Sequence, residues 1–384
     1  MTAFFAFIVA MFIAMVLIPP LMRSARRYAF VDLPSERKVH DVPTPRIGGL
    51  AMVAGAVTPI LLWVEPNRQV LGLLYGVAVL LIFGLWDDRS SLDYRLKFAG
   101  QLIAVSIAVF YGDIVIRFVP FAGVDPSPES VSIPLTIFAL LGITNAINLS
   151  DGLDGLAGGT TLLSIGTLSL LAYLAGDGTL FVLSMAVMGS IIGFLRYNTY
   201  PAQVFMGDAG SQFLGFSVGV LVIILTQRSS VVLSPSMPLL LLGLPLIDTF
   251  LVMGQRVIER RSPFKPDRNH VHHKLLQLGL DHYESVITIY TLQAALVTMA
   301  FLFRYQSDLL NVGVFAAVLF GLAVVFTVAS NRSWRVRQRP REDTPSAVTQ
   351  FARGLKRHAV LTRIPMLFAA FTMPLFAAYA IVNL

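Results

Sequence analysis

Four short segments hold most of the polar side chains that could do chemistry in an otherwise apolar chain of 384 residues. They are GLWDDRSSLDYRLK with Asp87 and Asp88, NAINLSDGLDGLAGG from Asn145, FMGDAGS with Asp208, and DRNHVHHKLLQLG from Asp267. Two adjacent carboxylates repel each other unless a cation or a proton lies between them. Asp87 and Asp88 therefore suit a base beside a partner for a cation or a substrate. A solvated helix end is the structural alternative.

The second segment combines amides, carboxylates and glycines. Its spacing places Asn145, Asn148 and Asp151 near one face if the helix continues through them. Gly152 and Gly155 allow the backbone to approach a ligand closely. Two amides and two carboxylates within ten residues suit a cation that prefers oxygen ligands, with phosphate as a further ligand. Polar caps between two helices are the structural alternative.

The third and fourth segments add one acid and a group of imidazole and cationic side chains. Asp208 follows a glycine just before an apolar run, so it can reach a metal ion with little steric hindrance or belong to a simple turn. His270, His272 and His273 are three of the six histidines and lie close to Arg268. Zinc would need three or four ligands in a tetrahedral array, but the other segments offer oxygen. A phosphate clamp is the more consistent interpretation.

The rest of the chain must position these segments within a membrane. Hydrophobic residues make up 55% of the sequence and charged residues 13%, with a mean hydropathy of +0.72, whereas soluble chains carry roughly 25% charged residues. This composition excludes a set of soluble domains. The net charge of +7 is explained by membrane topology rather than by nucleic-acid binding. Without cysteine, disulfides, thiolate metal sites and cysteine nucleophiles are excluded.

The apolar runs predict an all-α polytopic membrane protein with eleven transmembrane helices and one further hydrophobic segment. A helix needs roughly 20 apolar residues to cross a bilayer. The runs lie at 3–22, 47–64, 70–86, 96–116, 132–149, 157–175, 180–197, 212–227, 237–257, 286–304, 310–330 and 364–383. We expect a membrane domain over 1–330, a basic cytoplasmic segment over 331–363 and a hydrophobic segment over 364–384. The last segment is a twelfth span, a re-entrant segment or an interfacial helix.

The basic residues orient these spans. If the first run crosses from outside to inside, with the N-terminus outside, all but four of the 29 basic residues fall on the cytoplasmic side. The exceptions are Arg68, Arg117, Arg228 and Arg304. The same topology puts all four polar segments at the cytoplasmic face. The basic segment 331–363 is either an ordinary positive-inside tail or a contact with anionic lipid headgroups.

Together the segments suit phosphoryl transfer at a membrane face, where positioning and charge neutralisation supply most of the catalysis. One reactant is expected to be a lipid, because a wholly soluble reaction would not need eleven spans. A multi-span cation transporter is the alternative function, but its site should lie near the bilayer midplane. CDP-alcohol phosphotransferases carry DGxxAR, which the Leu-Asp-Gly-Leu sequence after Gly152 does not match.

In order and spacing, the four segments resemble the motifs of the polyprenyl-phosphate N-acetylhexosamine-1-phosphate transferases. The similarity covers about residues 1–330, and HVHH is similar to the WecA/TagO branch rather than to the phospho-MurNAc-pentapeptide transferase branch. The resemblance implies that undecaprenyl phosphate attacks the β-phosphorus of a UDP-N-acetylhexosamine, with GlcNAc as the default. UMP leaves, and a lipid-linked sugar pyrophosphate remains to initiate a cell-surface polysaccharide.

The resemblance also implies Mg²⁺, or Mn²⁺ in its place, and a location in the bacterial inner membrane. Monomer and homodimer both stay open. Asn148 and Asp208 would hold the metal on the pyrophosphate, and Asp87 is the favoured base with Asp88 in support. Gly152, Leu153 and Asp154 would meet the uracil, with Asp151 beside them, and Asn145 would also contact the substrate. The side chains expected at the diphosphate or lipid phosphate are Arg268, His270, His272 and His273, the last two as catalytic groups.

Two regions outside the four segments are also candidates. ERKVHDVPTPRIGGL is similar to the family's entry segment, so Lys38 and His40 are expected near the nucleotide or phosphate site. Asp248 lies within an apolar run. An intramembrane carboxylate is functional by default, but a buried, hydrogen-bonded residue that orients the following loop is an equal alternative.

Overall fold

The computed structural model describes residues 1–25, 27–32, 43–122, 126–227, 233–260, 269–332 and 334–336. Within these residues the chain forms α-helices joined by short connections. The helices are α1 (Thr2–Ala25), α2 (Gly48–Trp63), α3 (Arg68–Ser90), α4 (Tyr94–Ser106) with a π-helical turn (Ile107–Tyr111), α5 (Glu129–Leu149), α6 (Leu156–Leu174), α7 (Gly178–Asn198), α8 (Gly207–Thr226), α9 (Met237–Leu241), α10 (Gly243–Ile258), α11 (Val271–Gln277), α12 (His282–Leu302) and α13 (Asp308–Asn331). Two short strands, β1 (Val31–Asp32) and β2 (Thr44–Pro45), pair antiparallel.

Each of the eleven apolar runs up to residue 330 falls on these helices, because a backbone in lipid must satisfy its hydrogen bonds internally. Eight of the described helices are long and apolar enough to cross a membrane, so the prediction of an all-α polytopic membrane protein is confirmed. The other three runs fall on α2, on α4 with its π-helical turn, and on the pair α9 and α10. Since these helices are short or broken, the number of eleven spans stays a prediction. The run 364–383 lies outside the described residues.

Helix α8 forms the centre of the bundle. Every residue from Ala209 to Thr226 is buried, and α8 packs against α2, α3, α5 and α6. A methyl group added at Gly84 of α3 would collide with the backbone of Ala209, and one added at Gly215 would collide with Thr144 of α5. Small residues allow this close approach where lipid offers no hydrophobic drive for helix association. Helix α8 is therefore held between the two helices that end at the first two polar segments.

Three short connections bring the polar segments together. Residues 91–93 join α3 to α4, residues 150–155 join α5 to α6, and residues 199–206 join α7 to α8. Side chains from all three connections line one cavity. The connections therefore lie at the same end of the bundle.

Replacing Gly189 with alanine is expected to loosen the contact between α1 and α7. A methyl group there would collide with the carbonyl oxygen of Phe7, and overpacking costs roughly 1–3 kcal/mol. Thermal unfolding of purified Gly189→Ala should therefore occur at a lower temperature than that of the parent.

The matched control is Gly142→Ala in α5, where nothing lies within 4 Å of the added methyl group. This control should be neutral or slightly stabilising, since alanine is the better helix former. Equal unfolding temperatures for the two variants would contradict the described contact between α1 and α7.

Candidate active site

The four polar segments meet around a cavity of about 680 Å³. The predicted site residues that line it are Asp87, Asp88, Asn148, Asp151, Gly152, Leu153, Asp154, Asp208 and His273. Among the described residues, the predicted contacts Asn145, His270 and His272 are not part of the cavity lining. Lys38, His40 and Arg268 lie outside the described residues. The structure therefore brings together residues from all four polar segments, which are far apart in the chain.

Lys97 joins Asp87 to Asp208. Its Nζ atom lies 2.5 Å from Asp87 Oδ2 and 2.8 Å from Asp208 Oδ2. The two carboxyl groups also lie within hydrogen-bonding reach of each other, and the backbone N–H of Leu92 donates to Asp87 Oδ1 at 2.6 Å. Helix α4 begins at Tyr94, which places Lys97 in its first turn. The ammonium group therefore offsets the repulsion between the two acids.

Asp88 caps the N-terminus of α8. Its carboxylate accepts from the backbone N–H of Asp208 at 2.8 Å and from that of Ala209 at 3.2 Å. The first N–H groups of a helix have no partner within it, and the helix dipole favours a carboxylate there. Gly207 has φ +68°, and a Cβ atom at Gly207 would collide with the Asp88 carboxylate. Asp88 thus positions Asp208, and its supporting role in catalysis stays a prediction.

Asn148 is tied to the next turn of α8 through Ser211. The Ser211 hydroxyl donates to Asn148 Oδ1 at 2.6 Å and lies 3.0 Å from the Gly207 carbonyl oxygen. Asn148 lies in the last turn of α5, so this hydroxyl links the ends of two helices. An amide oxygen from α5 and the Asp208 carboxylate from α8 are therefore held at one cavity wall.

The donor atoms of this wall fit a divalent cation that also binds phosphate. Within the described parts of the chain, no three histidine or acidic side chains converge as a metal site of their own. Mg²⁺ commonly takes one or two carboxylates and completes its shell with substrate phosphates and water. Asp208 and Asn148 offer such oxygen ligands, and Asp87 adds a second carboxylate. The set suits an ion that is partly ligated by its substrate.

The loop between α5 and α6 is fixed by the end of α7. Asn198 Oδ1 accepts from the N–H of Gly155 at 2.9 Å. Asp154 Oδ2 accepts from the N–H of Ala202 at 2.8 Å. The backbone of the 199–206 connection therefore engages the carboxylate of Asp154, and the loop presents Gly152 and Leu153 to the cavity.

Asp151 faces the cavity and is exposed. The protein around it still displaces much of the carboxylate's hydration. This desolvation, followed by repulsion from Asp208 and Asp154, raises the pKa of Asp151 to about 7, against an opposing effect of Arg46. An approaching cation would favour the ionised form of Asp151.

Asp248 anchors the histidine segment. Its Oδ2 atom lies 2.8 Å from His270 Nδ1, and its Oδ1 accepts from the backbone N–H of Val271 at 2.7 Å. Asp248 and His270 are both buried. The geometry therefore matches the second alternative for Asp248, a buried hydrogen-bonded residue that orients the loop following its helix.

Of the HVHH histidines, His273 lines the cavity, while His272 is 3% exposed and lies between its two neighbours. Burial lowers the pKa of His272 to about 3, with repulsion from His273 adding to the effect, so its ring is neutral. A methyl group at Gly152 would collide with this ring. Asp248 holds His270, and His272 packs against Gly152 at the cavity, so the direct contacts of these two rings with phosphate stay a prediction.

Sequence reasoning missed several residues of the cavity. Lys97 ends the segment GLWDDRSSLDYRLK, so its position ten residues after Asp87 was an available signal. Arg46 lines the cavity, and its Nη2 atom lies 2.5 Å from Asp32 Oδ1. The rings of Tyr200 and His282 stack with centroids 4.0 Å apart at the cavity. No local pattern connects these two rings, because they belong to distant segments.

The chain is similar in sequence to known proteins. Residues 70–226 match the glycosyl transferase family 4 model. The chain is 37% identical over 288 residues to a probable undecaprenyl-phosphate N-acetylglucosaminyl 1-phosphate transferase of Bacillus subtilis, covering 74% of this chain and 80% of that relative. The chain belongs to glycosyl transferase family 4.

Two further relatives have names similar to that of the Bacillus subtilis protein. A decaprenyl-phosphate N-acetylglucosaminephosphotransferase of Mycobacterium tuberculosis is 34% identical over 342 residues, covering 81% of this chain and 84% of the relative. An undecaprenyl-phosphate alpha-N-acetylglucosaminyl 1-phosphate transferase of Yersinia pestis is 30% identical over 325 residues, covering 81% of this chain and 87% of the relative. The predicted membership of the polyprenyl-phosphate N-acetylhexosamine-1-phosphate transferases is confirmed.

Removing the Asp88 carboxylate is expected to destabilise this transferase by roughly 0.5–2 kcal/mol, the usual cost of losing a helix cap. Asp88→Ala leaves the N–H groups of Asp208 and Ala209 without their acceptor. Asp88→Asn retains one acceptor oxygen and should cost less.

The control is Asp93→Ala, since Asp93 precedes α4 without a side-chain bond to that helix end. Thermal unfolding of the purified variants measures the difference. If Asp88→Ala unfolds at the same temperature as Asp93→Ala, the cap is not a stabilising contact.

Proposed function

We propose that this glycosyl transferase moves N-acetylhexosamine 1-phosphate, with GlcNAc as the sugar, from a UDP-sugar to undecaprenyl phosphate. The convergence of Asp87, Lys97, Asn148 and Asp208 on one cavity of a polytopic membrane protein carries the proposal. Relatives named for N-acetylglucosaminyl 1-phosphate transfer with undecaprenyl or decaprenyl phosphate support it. The lipid product would initiate a cell-surface polysaccharide.

The proposed reaction forms one bond to phosphorus and breaks another. A phosphate oxygen of the lipid bonds to the β-phosphorus of the UDP-sugar, while the bond from that phosphorus to the bridging oxygen breaks. UMP leaves with the bridging oxygen and its electron pair. Because both reactants are anions, positioning and charge neutralisation supply most of the catalysis. Mg²⁺, or Mn²⁺, held through Asp208 and Asn148 would supply that neutralisation at the diphosphate.

Residues on different sides of the cavity would transfer a proton, bind the phosphates and bind the uracil. Asp87 would accept the proton of the lipid phosphate, so that the attacking oxygen carries its full charge. Lys97, paired with both acids, adds positive charge where the phosphates bind. His273 would contact the phosphates, with the neutral His272 as its support. Gly152, Leu153 and Asp154 would meet the uracil ring.

A cavity at one end of the bundle suits one soluble and one lipid substrate. We propose that this end faces the cytoplasm of a bacterium, in the inner membrane, with the N-terminus outside. The distribution of basic residues supports this orientation.

Transfer by Asp208→Ala is expected to fall by roughly 10²-fold or more, because an electrostatic contact to the reacting group is lost. Membranes containing the protein are incubated with labelled UDP-GlcNAc, undecaprenyl phosphate and Mg²⁺. The parent should move label into butanol-extractable lipid with release of UMP, and EDTA should abolish the transfer.

Asp113→Ala is the control, since Asp113 is an exposed acid paired with Arg117 away from the cavity. Full activity of Asp208→Ala would remove the metal assignment. Ion uptake by the parent in vesicles without UMP release would instead support the transporter alternative.

Asp87→Asn is expected to lose roughly 10²-fold or more in kcat, the usual contribution of a general base, while binding of the UDP-sugar survives. Turnover and binding of labelled UDP-GlcNAc are measured on the same preparation. Asp93→Asn is the control, because it makes the same substitution at an exposed carboxylate six residues further along the chain. An Asp87→Asn variant as active as the parent would show that Asp87 is not the base.

A further inference from the structure

We infer that three amide side chains, Gln101, Asn145 and Gln212, form a positioning layer for the charged wall of the cavity. We call them the amide layer. They belong to α4, α5 and α8, the helices that carry Lys97 and the two proposed metal ligands. The inference rests on the proposed function, since it concerns how that site is held in place.

The three side chains are joined by hydrogen bonds across three helices. Asn145 Nδ2 donates to Gln101 Oε1 at 2.8 Å, and Gln101 Nε2 lies 3.3 Å from Asn145 Oδ1. Gln101 Nε2 also lies 3.4 Å from Gln212 Oε1. Gln101 is 3% exposed and Gln212 is 2% exposed. Gln101 is therefore the centre of the layer, with one partner on each neighbouring helix.

The register of the amide layer matches that of the charged wall. Gln101 follows Lys97 by four residues, Gln212 follows Asp208 by four, and Asn145 precedes Asn148 by three. Residues three or four apart lie on the same face of a helix, one turn from each other. Each amide thus lies one turn from a charged or polar group of the wall on its own helix.

This register couples helix rotation to site geometry. A polar group left without a partner in a buried, low-dielectric environment is costly. Rotating any one of the three helices would break a hydrogen bond between amide side chains. The same rotation would displace the wall residue that lies one turn along that helix. The amide layer therefore fixes the directions in which Lys97, Asn148 and Asp208 point.

The amide layer acts through the wall residues rather than on substrate. In the described part of the chain, none of its three members is part of the cavity lining. The Nδ2 atom of Asn145 also donates a hydrogen bond to the Leu141 carbonyl oxygen at 2.8 Å. The amide layer assigns Asn145 a positioning role, and its predicted contact with substrate stays a prediction.

The test replaces single amides in the full chain, purified in nanodiscs. Gln101→Met and Gln212→Met remove the hydrogen bonds and keep similar side-chain volume. Thr226→Val is the matched control, because it removes a buried hydroxyl from the far end of α8. Two quantities are measured: turnover against Mg²⁺ concentration, and the Mg²⁺ concentration that gives half of the ion's thermal stabilisation.

We expect both methionine variants to lose roughly tenfold or more in turnover, since small misplacements far from the chemistry can cost about 10²-fold. The Mg²⁺ concentration for half-maximal stabilisation should rise several-fold. The unfolding temperature without Mg²⁺ should fall below that of Thr226→Val, because the remaining amides lose their buried partners. The Mg²⁺ requirement decides the inference: a merely structural role would lower the unfolding temperature and leave the Mg²⁺ concentration for half-maximal stabilisation unchanged, which would overturn it.

An exchange of side-chain lengths provides a second test if a methionine variant does not fold. Gln101→Asn shortens one partner by a methylene group and Asn145→Gln lengthens the other. Each single change should weaken turnover and Mg²⁺ stabilisation, and the double variant should recover most of both. If the double variant is no better than the worse single variant, the pairing does not position the site.

Failure of the proposed function gives a different result. If the parent chain transfers no sugar phosphate, the transferase proposal fails, and the thermal measurement still decides the inference. A raised Mg²⁺ requirement in the methionine variants then supports the amide layer. A parent that Mg²⁺ does not stabilise, or variants that match the parent, would overturn it.

Discussion

The packing of Asp87, Lys97 and Asp208 against one another is the constraint on which the site depends. The Asp87 carboxylate is buried, whereas Lys97 and Asp208 are partly exposed at the cavity. A buried charge is costly unless its partner stays within a few ångströms. The contacts of 2.5 Å and 2.8 Å made by Lys97 meet that condition. They exist only while α3, α4 and α8 keep their relative heights and rotations, so the bundle must be rigid at this end.

Helix α8 provides that rigidity. Its full burial leaves no lipid-facing side, and small residues bring its backbone against α3 and α5. Its first turn is held by Asp88 from α3, and its second by Ser211, which contacts Asn148 of α5. Close packing and end capping are separate kinds of interaction, and both fix the same residue, Asp208.

The histidine side of the cavity is built on a different principle. Asp248 binds His270 and the start of α11, and the neutral ring of His272 fills the space behind Gly152. One imidazole of the HVHH group, His273, then reaches the cavity. Asp87 and Asp208 line the cavity together with their ion-pair partner Lys97. His273 also lines the cavity, and the buried rings of His270 and His272 pack behind it. This division gives the cavity one wall of acids paired with a cation and one wall of imidazole.

The sequence by itself determined the helical membrane architecture, the convergence of the four polar segments and the family, because hydropathy and motif spacing are local properties of the chain. Tertiary structure decided which polar atoms pair. Lys97 and Asp208 are 111 residues apart, and so are Gln101 and Gln212. Asn145, predicted as a substrate contact, pairs with Gln101, 44 residues away. No spacing rule reaches across such separations, since these partners are set by how rigid helices pack and rotate against one another.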